Sequence, residues 1–247
     1  HPTFDILKDV KVSALVWTTT PWTLPGNVAL AVGGDIEYSK VEYEGESYIL
    51  AKELVGSVFE GREYTTEEAV KGNELVGKAY IPPFDSYMND ETLKNRENAW
   101  KVYAADFVTE DEGTGIAHEA PAFGADDMEL AQKIGLPMIQ HVGMDGIIHG
   151  TNTVLDGVSI SPRAKGDPTQ VREVDLTIKK MLGDKVFDSQ KYSHSYPHCW
   201  RCDTPLINYA TSSWFVAVQK IKDKLLKYAE EINWSPNHIK QGRWGEW

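Results

Sequence analysis

A chain of 247 residues suffices for one large domain, or a domain with an appendage, and for a sizeable core. Its composition, 41% apolar and 25% charged, is ordinary for a globular protein, with no apolar run of membrane-spanning length and no signal-peptide pattern at the start. The net charge of −12 sits in residues 1–150, with 11 Lys+Arg against 26 Asp+Glu, while residues 151–247 carry 14 against 11. So acidic a first part argues against broad, sequence-independent nucleic-acid binding, which needs Lys and Arg on phosphates, but leaves room for a narrow contact with one nucleotide end. Most of these carboxylates need no explanation beyond solubility. His1 is not a natural start residue, so the chain reads as an excised fragment or a processed product. Two cysteines make no disulfide framework and fit a reducing compartment, with a cytoplasmic location expected.

In chain order, Val12–Val16 alternates like a strand. Val28–Val32 is a second apolar run, and Ile36–Tyr43 with Glu46–Ala51 flank Glu44-Gly45 as a hairpin. Val76–Ile81 and Trp100–Val108 are further strand candidates, separated by a loop over residues 82–98. Many short strands joined by Gly, Pro and acidic turns predict a barrel or sandwich. Ala125–Ile134 reads as a helix that carries Asp126 and Asp127 in its first turn and is stopped by Gly135 and Pro137. Residues 167–182 read as another, capped by Asp167 with Pro168 at its first position. Residues 217–231 form an amphipathic helix with Val218, Ile221, Leu225, Ala229 and Ile232 on one face. Composition changes near residue 190, before a strand-like run at Pro205–Tyr209, so the expected division is 1–190 and a connecting segment 191–247.

Two segments are dense in chemistry. Trp17-Thr-Thr-Thr-Pro-Trp-Thr-Leu-Pro-Gly26 places three hydroxyls where the first strand gives out. Pro21 forbids helix there and biases Thr20 to an extended backbone. The result is a rigid, hydroxyl-rich strand end between two indoles, suited to a small polar ligand. Equally, threonines are good strand formers and prolines often simply end strands. Gly113–Asp127 (GTGIAHEAPAFGADD) reads as strand, Gly/Pro-controlled turn and helix start, a common ligand site. His118 at the strand end could tune a reacting group or shape a pocket, and Asp127 could bind a ligand cation. The alternatives are a structural histidine and a helix-capping aspartate.

The WTTTPWTLPG, GTGIAHEAPAFGADD and HSYPHCWRCDTPL stretches, in this order, closely resemble isoleucyl-tRNA synthetases, and within them the large (CP1) insertion of the catalytic domain that hydrolyses misacylated tRNA. The resemblance runs from Val12 to the end of the chain. In the related valyl and leucyl enzymes the threonine stretch usually continues with Arg-Pro, whereas here Pro21-Trp22 follows. The resemblance implies a mainly β fold with peripheral helices, a closed six-stranded β-barrel over about Val12–Val186, with the threonine stretch and His118–Asp127 meeting at one rim. It implies hydrolysis of valyl-tRNA(Ile), with isoleucine excluded by size. Asp127 would take the substrate α-ammonium, with Asp126 as fallback. His118 would line the pocket and exclude the larger side chain, Thr18, Thr19 and Thr20 would hold the terminal adenosine and place the attacking water, and Trp22 would form a wall. No cofactor is expected for this reaction. The partners implied are the valine-bearing 3′ end of tRNA(Ile) and the rest of the synthetase, with no membrane.

Cys199 and Cys202 supply half of a tetrahedral zinc site. The resemblance implies that a further cysteine pair from before the insertion completes it in the full-length enzyme; within this sequence His194 or His198 could contribute in principle. Within the chain two free thiols are expected. The HIGH-like and KMSKS-like sequences of ATP-dependent activation are not found in the chain, so no amino-acid activation is expected from it. Two other readings compete. One is a non-catalytic module that binds the tRNA 3′ end or docks on the synthetase. The other is a zinc-ribbon nucleic-acid binder, resting on a single C-x-x-C in an acidic chain.

Overall fold

The computed structural model describes residues 3–7, 10–67, 69–111, 113–160, 173–190 and 195–246, with the backbone alone for residues 3–7 and 10. Ten strands are assigned among them: β1 Thr3–Leu7, β2 Val10–Ala14, β3 Ala29–Val32, β4 Glu37–Tyr43, β5 Glu46–Ala51, β6 Thr65–Thr66, β7 Val70–Lys71, β8 Tyr80–Ile81, β9 Lys101–Ala104 and β10 Ile116–Glu119. The helices are α1 Val55–Val58, α2 Gly72–Leu75, α3 Ala125–Ile134, α4 Glu173–Leu182 and α5 Val218–Ala229. The Glu44-Gly45 hairpin is present, with β4 and β5 paired from Tyr38–Ala51 to Tyr43–Glu46. α3 stops where Gly135 adopts φ 72°, a left-handed residue that closes the helix. The expected start of the helix at Asp167 and Pro168 lies outside the described residues, as does His194.

The expected closed six-stranded barrel is not what the strands form. One sheet runs β6–β4–β5–β2–β1–β8, with β7 also on β4, and a second runs β10–β3–β9. β2–β5 and β3–β9 are parallel and the other pairs antiparallel. Between the sheets lie single bridges, Trp17 to Ala117 and Ala79 to Lys101, rather than ladders. The sheet is therefore an open half-barrel. Chemistry at both junctions explains this. After β2 the chain runs into Pro21, which has no N–H to donate and opens a 3-10 turn over Pro21–Gly26. β8 meets β9 only through Ala79, and pairing further along β9 would run back to Lys78 and Gly77, where Gly77 at φ 81° turns the chain off the strand. Other strands are shorter than their apolar runs suggest. Trp100–Val108 yields only β9, and Pro205–Tyr209 yields a single bridge, His198 to Pro205.

Inside the half-barrel, Val12, Ala14, Leu30, Val32, Tyr38, Ile49, Val102 and Ile116 form the main core. The outer face of β3 is covered by α3, where Val28 and Ala29 pack on Ala131, Leu136 and Ile139. A separate cluster gathers Trp22, Ala120, Phe123, Val142, Ile148, Leu155, Val174 and Ile178 around the turn after β10. The chain divides into two compact units, His1–Ala210 and Thr211–Trp247. Tyr209 and Ala210 are stitched to the first: the Phe123 and Tyr209 rings lie 6.3 Å apart, and the Ala210 N–H donates to Ala122 O at 2.8 Å. In the second unit Trp234 caps α5, its Nε1–H donating to Ala229 O at 2.8 Å, and Lys240 pairs with Glu230 at 2.6 Å. Of the anticipated apolar face of α5, Ala229 is buried while Ile221 and Ile232 remain exposed.

Candidate functional site

The two dense segments meet. The parallel bridge between Trp17 and Ala117 lays the start of the threonine stretch beside β10. Further on, the Thr20 carbonyl accepts from the Thr23 hydroxyl at 2.8 Å, and Thr23 Oγ1 lies 2.7 Å from His118 Nε2. Thr18 folds back locally, its Oγ1 accepting the Thr20 N–H at 3.1 Å. Thr19 is exposed, and Thr18 and Thr20 are part-buried.

A hydrogen-bond chain fixes the His118 ring. The Tyr80 hydroxyl donates to Asn27 Oδ1, which orients the Asn27 amide. Its Nδ2 then donates to Ala29 O at 2.9 Å and faces His118 Nδ1 at 3.3 Å. Nδ1 is thus the acceptor and Nε2–H the donor, toward a Thr23 hydroxyl whose own proton goes to Thr20 O. Both ring nitrogens are engaged. Desolvation pulls the His118 pKa down to about 4, so the ring is neutral at pH 7. Such an imidazole has no lone pair left for water. It can present a wall and hold Thr20 through Thr23, but it is a poor general base.

Asp127 is the third residue of α3, and its carboxylate bends back over the preceding turn. Oδ2 accepts the Ala120 N–H at 2.7 Å. A Cβ at residue 124 would collide with this carboxylate, so the close approach requires Gly124. Burial raises the Asp127 pKa, opposed by N–H donation from Ala120 and its own backbone. Asp126 points to solvent. Trp22 is 2% exposed and meets Phe123 edge-on at 5.2 Å. It stands in the cluster beside Ala120 and Ala122 rather than on the surface. Asp127 and Trp22 thereby both brace the turn that follows His118.

Several residues here were not singled out from the sequence. Thr23 and Asn27 lie inside or just past the quoted stretch but carry no signal beyond hydrogen-bonding capacity. Glu119 is 1% exposed, and burial, then the charges of Asp127 and Asp126, push its carboxyl up to about 9. A carboxylate between His118 and an Ala-Pro turn was the available clue. His141 is also buried, with Nε2 2.9 Å from Trp22 O and its ring 4.9 Å from Phe123. Its pKa falls to about 4, mainly through desolvation. No motif marks it.

Cys199 and Cys202 flank a tight turn in which the Asp203 N–H donates to Cys199 O and the Cys199 N–H to Thr204 O, both at 2.8 Å. Cys202 Sγ lies 3.1 Å from Thr204 Oγ1. Among the described residues no group of three His, Cys, Asp or Glu side chains could hold a metal ion. The residues described therefore do not make up a tetrahedral donor set. Nor is any described helix long and apolar enough to cross a membrane.

No protein-family model matches the chain. The chain is 44% identical to an isoleucine–tRNA ligase of Treponema denticola over 94% of its own length and 22% of that protein's. For the enzymes of Bacillus thuringiensis and Clostridium novyi the identities are 42% and 44%, over 94% of the chain and 21% of each relative. Among solved structures, GlLeuRS-CP1 aligns with TM-score 0.42 and 20% identity, covering 52% of this chain and 47% of that one. The cytosolic leucyl-tRNA synthetase editing domain of P. falciparum aligns with TM-score 0.39 and 17% identity, covering 51% and 48%. The chain thus spans about a fifth of the length of the curated relatives it matches. By sequence it belongs to the isoleucine–tRNA ligase family.

Proposed function

We propose that this part of an isoleucine–tRNA ligase carries out editing, hydrolysing valyl-tRNA(Ile) by a positioned water. The observation that carries the reading is the link from the threonine stretch through Thr23 to His118, beside the turn held by Asp127. In this reading the ester lies along Thr18–Thr20, whose hydroxyls and backbone hold the terminal adenosine and orient the water. Asp127 takes the α-ammonium in a charge-assisted contact, with Asp126 next to it on the surface. His118 is a rigid neutral wall against the substrate side chain, and Trp22 holds the wall behind it. No step requires a serine or cysteine nucleophile, so rate enhancement comes from placement and fixed dipoles. A missing methylene is worth about 1–3 kcal/mol in an apolar pocket, a figure for which isoleucine against valine in this enzyme family is itself the standard illustration and not a result obtained here. A second site that admits only the smaller residue supplies the rest.

The partners in this reading are the tRNA 3′ end and the remaining four-fifths of the enzyme, in the cytoplasm, with no cofactor for hydrolysis. A zinc ion at Cys199 and Cys202 would need further ligands from outside the described residues. The test is Asp127→Ala. Losing the ammonium partner should slow valyl-tRNA(Ile) deacylation by about 2 kcal/mol, roughly thirtyfold, with the fold intact by circular dichroism. Wild-type rates in this variant would make Asp127 a helix cap and overturn the assignment.

A further inference from the structure

Glu119 has no role in the reading above, yet it is the most unusual titratable group near the site. Strand alternation turns it to the face opposite His118. There it sits in register with Ala29, which packs against Ala131, Leu136 and Ile139. The carboxyl is 1% exposed, and its Oε2 has no hydrogen-bond partner. The titratable groups that reach it are all acids: Asp127 and Asp126 from α3, and Tyr80 from β8. Glu119 and Asp127 are bound into one turn, because the N–H of the very next residue, Ala120, is the donor to Asp127 Oδ2. That N–H stabilises charge on Asp127. Glu119 receives no comparable donor, and at neutral pH it keeps its proton. Of the two carboxyls, Asp127 has the N–H donor that favours its ionised form and Glu119 has none.

We propose that Glu119 is the proton-exchanging partner of the Asp127 site: an ammonium group seated on Asp127 expels the proton of the neighbouring Glu119 to solvent, so the turn gains a negative charge when the cation is bound. The step breaks one O–H bond in Glu119, and the proton goes to buffer. Glu119 touches no substrate. It acts through Asp127 as a positioning residue, which gives the site charge to match an ammonium and withholds it when no cation is present. The inference rests on the reading of Asp127 as the ammonium partner.

Calorimetry tests it on the full chain, with valine joined to adenosine through a non-hydrolysable amide as probe, and the same compound lacking the α-amine as control. At pH 7, titrations in two buffers of different ionisation heat should show close to one proton released per amine probe, and none for the control. Glu119→Gln should bind the amine probe without releasing a proton. If the amine probe binds no more tightly than the control, or equally well to Asp127→Ala, the ammonium reading of Asp127 fails and the proposal with it. If binding depends on Asp127 but the wild type releases no proton, or Glu119→Gln releases as many, Glu119 alone is misassigned. Should Glu119→Gln fail to fold, the infrared difference spectrum of the wild type decides. Loss of a protonated-carboxyl band on probe binding upholds the exchange, and its persistence overturns it.

Discussion

Burying Glu119 as a neutral acid should leave a mark on stability against pH, and the substitution that erases it is Glu119→Gln. An ordinary glutamate titrates near 4.5, whereas the folded protein holds Glu119 at about 9. At pH 7 the unfolded chain is ionised here and folding must take up a proton. Each pH unit above 4.5 costs about 1.4 kcal/mol, so the cost at pH 7 is about 3 kcal/mol. The sign follows from the raised folded-state pKa: this contribution is complete below pH 4.5 and drains away as pH rises toward 9. His118 and His141 act oppositely. Both fall from 6.5 to about 4, so what they contribute is present above pH 6.5 and lost as pH falls toward 4. With two histidines against one glutamate, wild-type stability from these groups should peak near pH 6.5. Urea unfolding of wild type and Glu119→Gln from pH 5 to 8.5 isolates the glutamate, because any constant cost of the amide cancels in the difference. The variant should gain on wild type steadily, by about 3 kcal/mol in the limit between pH 4.5 and 7. Half of that, after water penetration, still moves the urea midpoint by roughly 0.5–1.5 M at ordinary slopes of about 1–3 kcal/mol per M. Parallel stability profiles across that range would refute a buried neutral Glu119.

Two further outcomes concern the site. His118→Ala removes a ring whose nitrogens are already engaged, so hydrolysis of isoleucyl-tRNA should rise toward that of valyl-tRNA; an equal loss on both substrates would instead mark His118 as a general base. Gly124→Ala drives a methyl into the Asp127 carboxylate, and should cut valyl-tRNA deacylation nearly as far as Asp127→Ala; an unaffected rate would mean that the carboxylate's position does not matter.

What could be read from the chain follows from where local chemistry decides. The β4–β5 hairpin needs only Glu44-Gly45 and two alternating runs, and α3 needs only its acidic first turn and Gly135, so both were legible. Strand lengths and sheet closure depend on pairing between distant segments. Pro21 was visible as a breaker, but not that it falls at a junction where ladders would have to join. For the site, the threonine stretch and His118 were legible as segments. The Thr23–His118–Asn27–Tyr80 chain was not, because it links residues up to 95 positions apart through a register that no single motif encodes. Glu119 was hidden for a related reason: it lies in register with Ala29 of β3, whose outer face packs on Ala131, Leu136 and Ile139 from a distant part of the chain.

The central claim is selective hydrolysis, and the most direct measurement is the ratio of two rates. Valyl-tRNA(Ile) and isoleucyl-tRNA(Ile), each labelled in the amino acid, are incubated with the full 247-residue chain at pH 7 and followed by loss of acid-precipitable label. The account predicts release of valine well above the uncatalysed rate, with isoleucine retained at close to that rate. Equal release of both, or of neither, would contradict it.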